Sequence, residues 1–154
     1  MKLMAAGDQV LVAEFGDRID EAVNDQVHAL AAKIEEQQIP GIGEVVPTFR
    51  SLLIYYDSYQ LSYREAAGKI EELARNLKTE QKTKKRILKI PCCYGARFGP
   101  DLADMEQLTG LDRKEMIDIH SSVDYKVYML GFLPGFAYLG GLDERIHVPR
   151  LKSP

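Results

Sequence analysis

The hydrophobic period changes sharply between Gln9 and Gly41, and that change limits the fold more than any other feature of the chain. Gln9–Phe15 (QVLVAEF) is a short apolar, β-branched run closed by Gly16-Asp17, the pattern of a strand. From Asp20 onward, Ala22, Val23, Val27, Leu30, Ala31 and Ile34 recur at helical spacing with Glu21, Asp25, Lys33 and Glu35 between them. This predicts an amphipathic helix ended by Pro40-Gly41. A strand feeding directly into such a helix calls for a sheet covered by helices.

The same alternation continues downstream. Gly43–Pro47 and Arg50–Tyr56 (RSLLIYY) predict two more strands. Ser62-Tyr-Arg-Glu65 has the form of a capping box, a hydroxyl for the first free amides and a Glu three residues on. It opens a helix carrying Ala66, Ala67, Ile70, Leu73, Ala74 and Leu77 on one face. Arg86–Pro91 (RILKIP) predicts a strand, Gly99-Pro-Asp101 starts a short helix stopped by Gly110, Asp112-Arg-Lys-Glu115 starts another, and Asp124–Gly131 predicts the last strand. At Asp101 the simple expectation is a helix N-cap. The order β-α-β-β-α-β-α-α-β predicts an α/β (α+β) layered domain. Its first six elements match a split βαβ sheet with helices packed on it.

With 154 residues, 45% of them hydrophobic, the chain is long enough for one domain with a core. A net charge of −3 argues against a nucleic-acid partner. The basic run Lys82-Thr-Lys-Lys-Arg86 reads as a solvated linker. No stretch approaches the length of an apolar membrane span, and Gly7, Asp8 and Gln9 interrupt any signal-peptide core, so a cytoplasmic protein is expected. Cys92 and Cys93 are adjacent, which is neither metal-ligand spacing nor a favourable disulfide, and they read as reduced, structural thiols. No phosphate-binding glycine motif is present.

The block Gly131–Asp143 (GFLPGFAYLGGLD) combines four glycines, a proline, two phenylalanines and a tyrosine. Gly131 lets the last strand bend. Pro134-Gly135 is a turn signal, because proline presets one dihedral and glycine is free to take positive φ. Phe132, Phe136 and Tyr138 then either plug the edge of the core or line a cleft where backbone amides are accessible. Near this strand the chain offers His120, Tyr128, Arg145, His147 and Arg150 as polar candidates. His120 is a proton carrier or a C-cap. Arg145 and Arg150 either hold a carboxylate or phosphate, or pair with Asp143 and Glu144. His28 reads as a surface residue of the first helix, and no Ser-His-Asp or Cys-His constellation follows from spacing.

The stretch His120–Arg150, HSSVDYKVYMLGFLPGFAYLGGLDERIHVPR, resembles the family of 5-oxoprolinase B-type subunits, also called allophanate hydrolase subunit 1 (carboxyltransferase domain, subdomains C and D), which includes a sporulation histidine-kinase inhibitor. Ile90-Pro-Cys-Cys-Tyr-Gly95, Phe98-Gly-Pro-Asp101, Thr109-Gly-Leu111, and Asp17-Arg-Ile19 with Asn24 and Val27 look like the same family. The resemblance implies an N-terminal α/β domain, residues 1–131, then a connection, 132–154, into a cyclophilin-like β-barrel mostly absent from this chain. It implies a non-autonomous subunit of an ATP-dependent 5-oxoprolinase that works with a homologous partner subunit and a third subunit. ATP, with Mg, is then bound by the assembled complex, and this chain alone is inactive. The catalytic candidates become His120, Arg145 and Arg150. The substrate-binding candidates become Gly131, Phe132, Pro134, Gly135, Phe136 and Tyr138, with no metal ligand. The alternatives are an inhibitor that binds a sensor histidine kinase, or a carboxyltransferase-type half domain, which requires a biotin carrier.

Overall fold

The computed structural model describes residues 1–77 and 86–150. These divide into two compact units, each with its own core: one takes residues 1–77 and 128–138, the other 86–127 and 139–150. The basic run falls on residues 82–86 and, apart from Arg86, lies outside the described residues.

The first unit is built on a four-stranded sheet. Its strands are β1 (Lys2–Ala5), β2 (Val10–Glu14), β3 (Ile42–Pro47) and β4 (Ser51–Tyr56), in the order β1-β2-β4-β3. All neighbours are antiparallel. β2 and β3 therefore run parallel with β4 between them, the split arrangement expected from the sequence. The registers Leu11↔Ile54 and Ala13↔Leu52 place four fully buried residues on one sheet face. Two helices cover that face, α1 (Glu21–Gln37) with Val27, Leu30, Ala31 and Ile34, and α2 (Tyr63–Arg75) with Ala66 and Ile70. The sequence periods form this layer because one stripe of each helix and alternate residues of each strand meet there. Each fully buried Leu or Ile contributes about 2 kcal/mol of apolar transfer free energy.

The helix ends follow local chemistry. The Asp20 carboxylate accepts from the amides of Ala22 and Val23. At α2 both halves of the capping box form: the Glu65 amide donates to Ser62 Oγ, and the Ser62 amide donates to the Glu65 carboxylate. α1 stops before Pro40, with Gln38 in the left-handed region at φ 43°.

The sheet corrects one sequence expectation and adds one strand. Arg86–Pro91 is not a strand: it pairs with no strand among the described residues, and Ile87, Leu88 and Ile90 are exposed. The edge beside β2 is instead taken by β1, which the periodicity of the sequence does not reveal. It pairs with β2 across a turn held by the Ala6 amide donating to the Val10 carbonyl, with Gly7 at positive φ. A β-prone run gains little without a partner to satisfy its amides.

In the second unit, α3 (Leu102–Thr109) ends at Gly110 in the left-handed conformation, and α4 (Arg113–Ser121) begins with a complete Asp112/Glu115 capping box. Leu102, Met116 and Ile146 form its buried centre, with Tyr94, Met105, Leu111 and Ile119 packed around them. The N-cap expectation at Asp101 is right in position and wrong in chemistry. Asp101 precedes α3, but its side chain makes no capping bond and its backbone is already helical.

β5 (Lys126–Leu130) and β6 (Ala137–Gly140) pair as a separate two-stranded sheet. β6 is not legible in the sequence, because it has only four residues and glycines stand beside it. Both sheets are open, and no barrel closes among the described residues. The chain is thus α/β, as its alternating periods predict.

Candidate functional site

The loop between β5 and β6 is a compact double turn. The Leu133 amide donates to the Gly131 carbonyl at 2.7 Å, the Phe136 amide to Leu133 at 3.0 Å, and the Gly131 amide to Phe136 at 3.0 Å. Pro134 and Gly135 (φ 77°) take the two middle positions of the inner turn, the sequence a type II turn demands. Phe132 sits at φ 60°, where a bulky residue is strained, and is 83% exposed. Phe132, Phe136, Tyr138, Phe49 and Tyr128 stack edge to face or tilted, with successive centroids 5.3–5.8 Å apart. The ladder runs from an exposed tip to a buried tyrosine, so the block supplies both a core plug (Tyr128, and Tyr138 in part) and an exposed aromatic surface (Phe132, Phe136).

Beneath that ladder lies a polar contact the sequence did not reveal. Asn24 is fully buried in the apolar stripe of α1. Its Nδ2 donates to the carbonyls of Thr48 (3.0 Å), Phe49 (3.2 Å) and Tyr128 (3.2 Å). His28, one turn on, places Nε2 3.0 Å from the same Tyr128 carbonyl, so that nitrogen carries the proton there. His28 is exposed, as the surface reading expects, and it also ties α1 to β5. The available signal was an Asn at a core position of the helical stripe, followed four residues later by a His. Burial, and then the nearby Glu21, Asp20 and Asp25, push the Tyr128 phenol above its ordinary range, so it stays neutral at physiological pH.

In the second unit, His120 lies in the last turn of α4, half-buried. The helix carbonyls are capped by hydroxyls instead of by this imidazole. Ser121 Oγ donates to Ile117, Ser122 Oγ to Ile119, and the Tyr125 hydroxyl to His120's own carbonyl. The ring is left to bond Tyr94, whose hydroxyl lies 2.5 Å from Nδ1. The Tyr94 ring meets the imidazole edge-on at 5.7 Å, and the Tyr125 ring tilts over it at 5.3 Å. Cys92, two residues before Tyr94, is an exposed free thiol. Burial, and then Cys92, push the Tyr94 phenol up. Burial, and then Asp143, do the same for Tyr125.

The two arginines fare differently from the catalytic expectation. Asp143 holds the Arg145 guanidinium on two nitrogens, Nε at 3.0 Å and Nη2 at 2.7 Å, and also accepts from its amide. These bonds pull the Asp143 carboxyl down to about 2 and push Arg145 up. The guanidinium fork is thus taken by a neighbour two residues away. Arg150 and His147 are exposed, with His147 capping a short 3-10 turn through its amide. No group of His, Cys, Asp and Glu among the described residues could hold a metal ion. An open groove of about 390 Å³ lies at one end of the first sheet, lined by Gln9, Tyr55, Asp57 and Gln60 among others. It includes none of the sequence-predicted residues, and Asp57 there is already bonded by the Tyr59 amide and Gln60.

The sequence model of the carboxyltransferase domain, subdomain C and D, matches residues 1–154. The chain belongs to that family. Within the carboxyltransferase-domain family it is similar to proteins named as the B-type subunit of 5-oxoprolinase, at 42% identity over 158 residues in Bacillus subtilis and 32% over 151 residues in Escherichia coli O157:H7. Each comparison takes in 96% of this chain and 66% of the relative, so the chain spans just under two thirds of their length. Among solved structures it resembles TTHA0988 with a TM-score of 0.79 and 29% identity, over 94% of this chain and 28% of that one. The K. lactis urea amidolyase shares the fold at a TM-score of 0.59 and 15% identity, over 89% of this chain and 10% of that one. No helix among the described residues is long and apolar enough to cross a membrane.

Proposed function

We propose that this family member serves as part of the B-type subunit of a multi-subunit 5-oxoprolinase, which couples ATP hydrolysis to the opening of the 5-oxoproline lactam to glutamate. The observation that carries the reading is the 42% identity to a protein of that name across 96% of the chain. An unstrained lactam resists water. The reaction needs its amide oxygen activated, charge on that oxygen stabilised, and a proton delivered to the leaving nitrogen. His120 is a fitting contributor, because Tyr94 holds its imidazole at Nδ1 and Tyr125 tilts over the ring, while Nε2 makes no hydrogen bond among the described residues. Arg150 is exposed and offers a fork for a carboxylate or phosphate. Arg145 can do so only by releasing Asp143, which favours a structural role for it. The aromatic hairpin Gly131–Tyr138 offers ring faces and turn amides for substrate binding. ATP and Mg belong in this reading to the assembled complex, with a homologous partner subunit and a third subunit.

The test is glutamate release from 5-oxoproline and ATP by the protein assembled with those subunits. Release that requires the subunits, and that falls by about 100-fold or more in His120→Ala, supports the reading. No glutamate from a folded, complete assembly sinks it. A second reading, a regulatory protein that binds a sensor histidine kinase, is favoured by one observation: Phe132, Leu133 and Phe136 are exposed together at the hairpin. Kinase inhibition lost in Phe132→Ala and kept in His120→Ala would establish that reading instead.

A further inference from the structure

We propose that Tyr94 is a positioning residue for His120: its hydroxyl donates to Nδ1, which fixes neutral His120 as the Nε2–H tautomer and makes the imidazole a hydrogen-bond donor to a substrate oxygen, not a base. The inference rests on the reading above for its catalytic meaning, but its structural content stands apart from it.

The number of protons available decides the polarity. The Tyr94 oxygen lies 2.5 Å from His120 Nδ1. A phenol has one proton to give, and burial keeps it on the oxygen at neutral pH. A neutral imidazole has one bare nitrogen, which accepts better than a phenol oxygen, and a phenol O–H donates better than a ring N–H. The bond to Nδ1 is therefore the one Tyr94 donates, and neutral His120 keeps its own proton on Nε2. The reverse polarity would place Nδ1–H against the phenol oxygen and leave the phenol proton without this acceptor.

The surroundings hold this arrangement. The Tyr94 ring packs against the Leu102/Met116/Ile146 core, which sets where its hydroxyl reaches. Gly99 is equally constrained, since a Cβ there would fall 2.7 Å from the Tyr94 carbonyl. Tyr125 anchors the other side, with its hydroxyl on the His120 carbonyl and its ring over the imidazole. An Nε2–H group so oriented suits an oxygen that gains negative charge, such as a lactam carbonyl or a phosphoryl oxygen.

The test is a long-range proton–nitrogen correlation spectrum of the 15N-labelled chain, recorded where the imidazole is neutral. Expected is a pyrrole-type Nε2 and a pyridine-type Nδ1 for His120. In Tyr94→Phe the two nitrogens should shift towards each other as the tautomers mix, and in Cys92→Ser they should stay as in the parent. A pyrrole-type Nδ1 in the parent chain, or a spectrum unmoved by Tyr94→Phe, overturns the proposal. If Tyr94→Phe does not fold, the parent spectrum decides alone. In the assembled enzyme Tyr94→Phe should lower kcat roughly tenfold with little change in KM. An intact tautomer with no glutamate release would sink the 5-oxoprolinase reading and leave this inference standing.

Discussion

At the scale of single residues, the structure depends on polar groups whose partners are fixed by geometry. Asn24 is the plainest case. Its Nδ2 serves three carbonyls at a fully buried position, and its Oδ1 has no partner among the described residues. Asn24→Ala would take this donor from the Thr48 and Phe49 carbonyls, with His28 still on Tyr128, and should cost about 1–3 kcal/mol in denaturant unfolding. Asn24→Asp should cost more, since it would aim an acceptor at three carbonyl oxygens. A loss under about 0.5 kcal/mol in both would show the amide bonds to be unimportant. Asp143 tests the electrostatics. Its folded pKa is depressed to about 2 by Arg145, below the ordinary 3.8. Its contribution is therefore present above the unfolded value and is lost as pH falls from roughly 4 towards 2. Carbon-detected titration should show Asp143 ionising near 2, and Arg145→Gln should return it to the ordinary range.

At the scale of elements, the caps divide by whether a bond forms. Ser62 and Asp112 cap α2 and α4 through complete boxes, whereas Asp101 makes no side-chain bond at α3. Ser62→Ala and Asp112→Ala should each lose about 1 kcal/mol. Asp101→Ala should lie within about 0.5 kcal/mol of the parent, and an equal loss at all three sites would contradict the structure. Both boxes are legible in the sequence because the interacting groups lie three residues apart. So is the Pro134-Gly135 turn, whose dihedrals are set by those two residues themselves. Arg86–Pro91 misleads, because a strand-like run there has no partner. β1 and β6 stay hidden, because each has only four residues and gains its identity from pairing.

At the scale of the whole molecule, the described residues form two cores of unequal size. The first joins buried residues of two strands and two helices, and the second centres on Leu102, Met116 and Ile146. Native-state hydrogen exchange should therefore show α3 and α4 opening at lower free energy than β2 and β4. Gly99→Ala should widen that gap. The added Cβ would meet the Tyr94 carbonyl at 2.7 Å and Leu102 at 2.6 Å, and the carbonyl cannot swing aside as a side chain can. Equal protection of α3, α4, β2 and β4, or a Gly99→Ala variant that exchanges like the parent, would count against two separate cores.

The sequence by itself determined the elements whose causes are local: the apolar stripes of α1 and α2, the alternation of β2 and β4, the capping boxes, the glycine stops and the Pro134-Gly135 turn after β5. It also carried the family relationship, because the Gly131–Asp143 block is long and unusual. Only the tertiary structure decided which strand takes the sheet edge and where each polar side chain goes. His120 meets Tyr94 across 26 residues, and Asn24 meets Tyr128 across 104. A hydrogen bond depends on distance and angle in space. Local periodicity shows which face of an element is buried, but not which partner lies across from it.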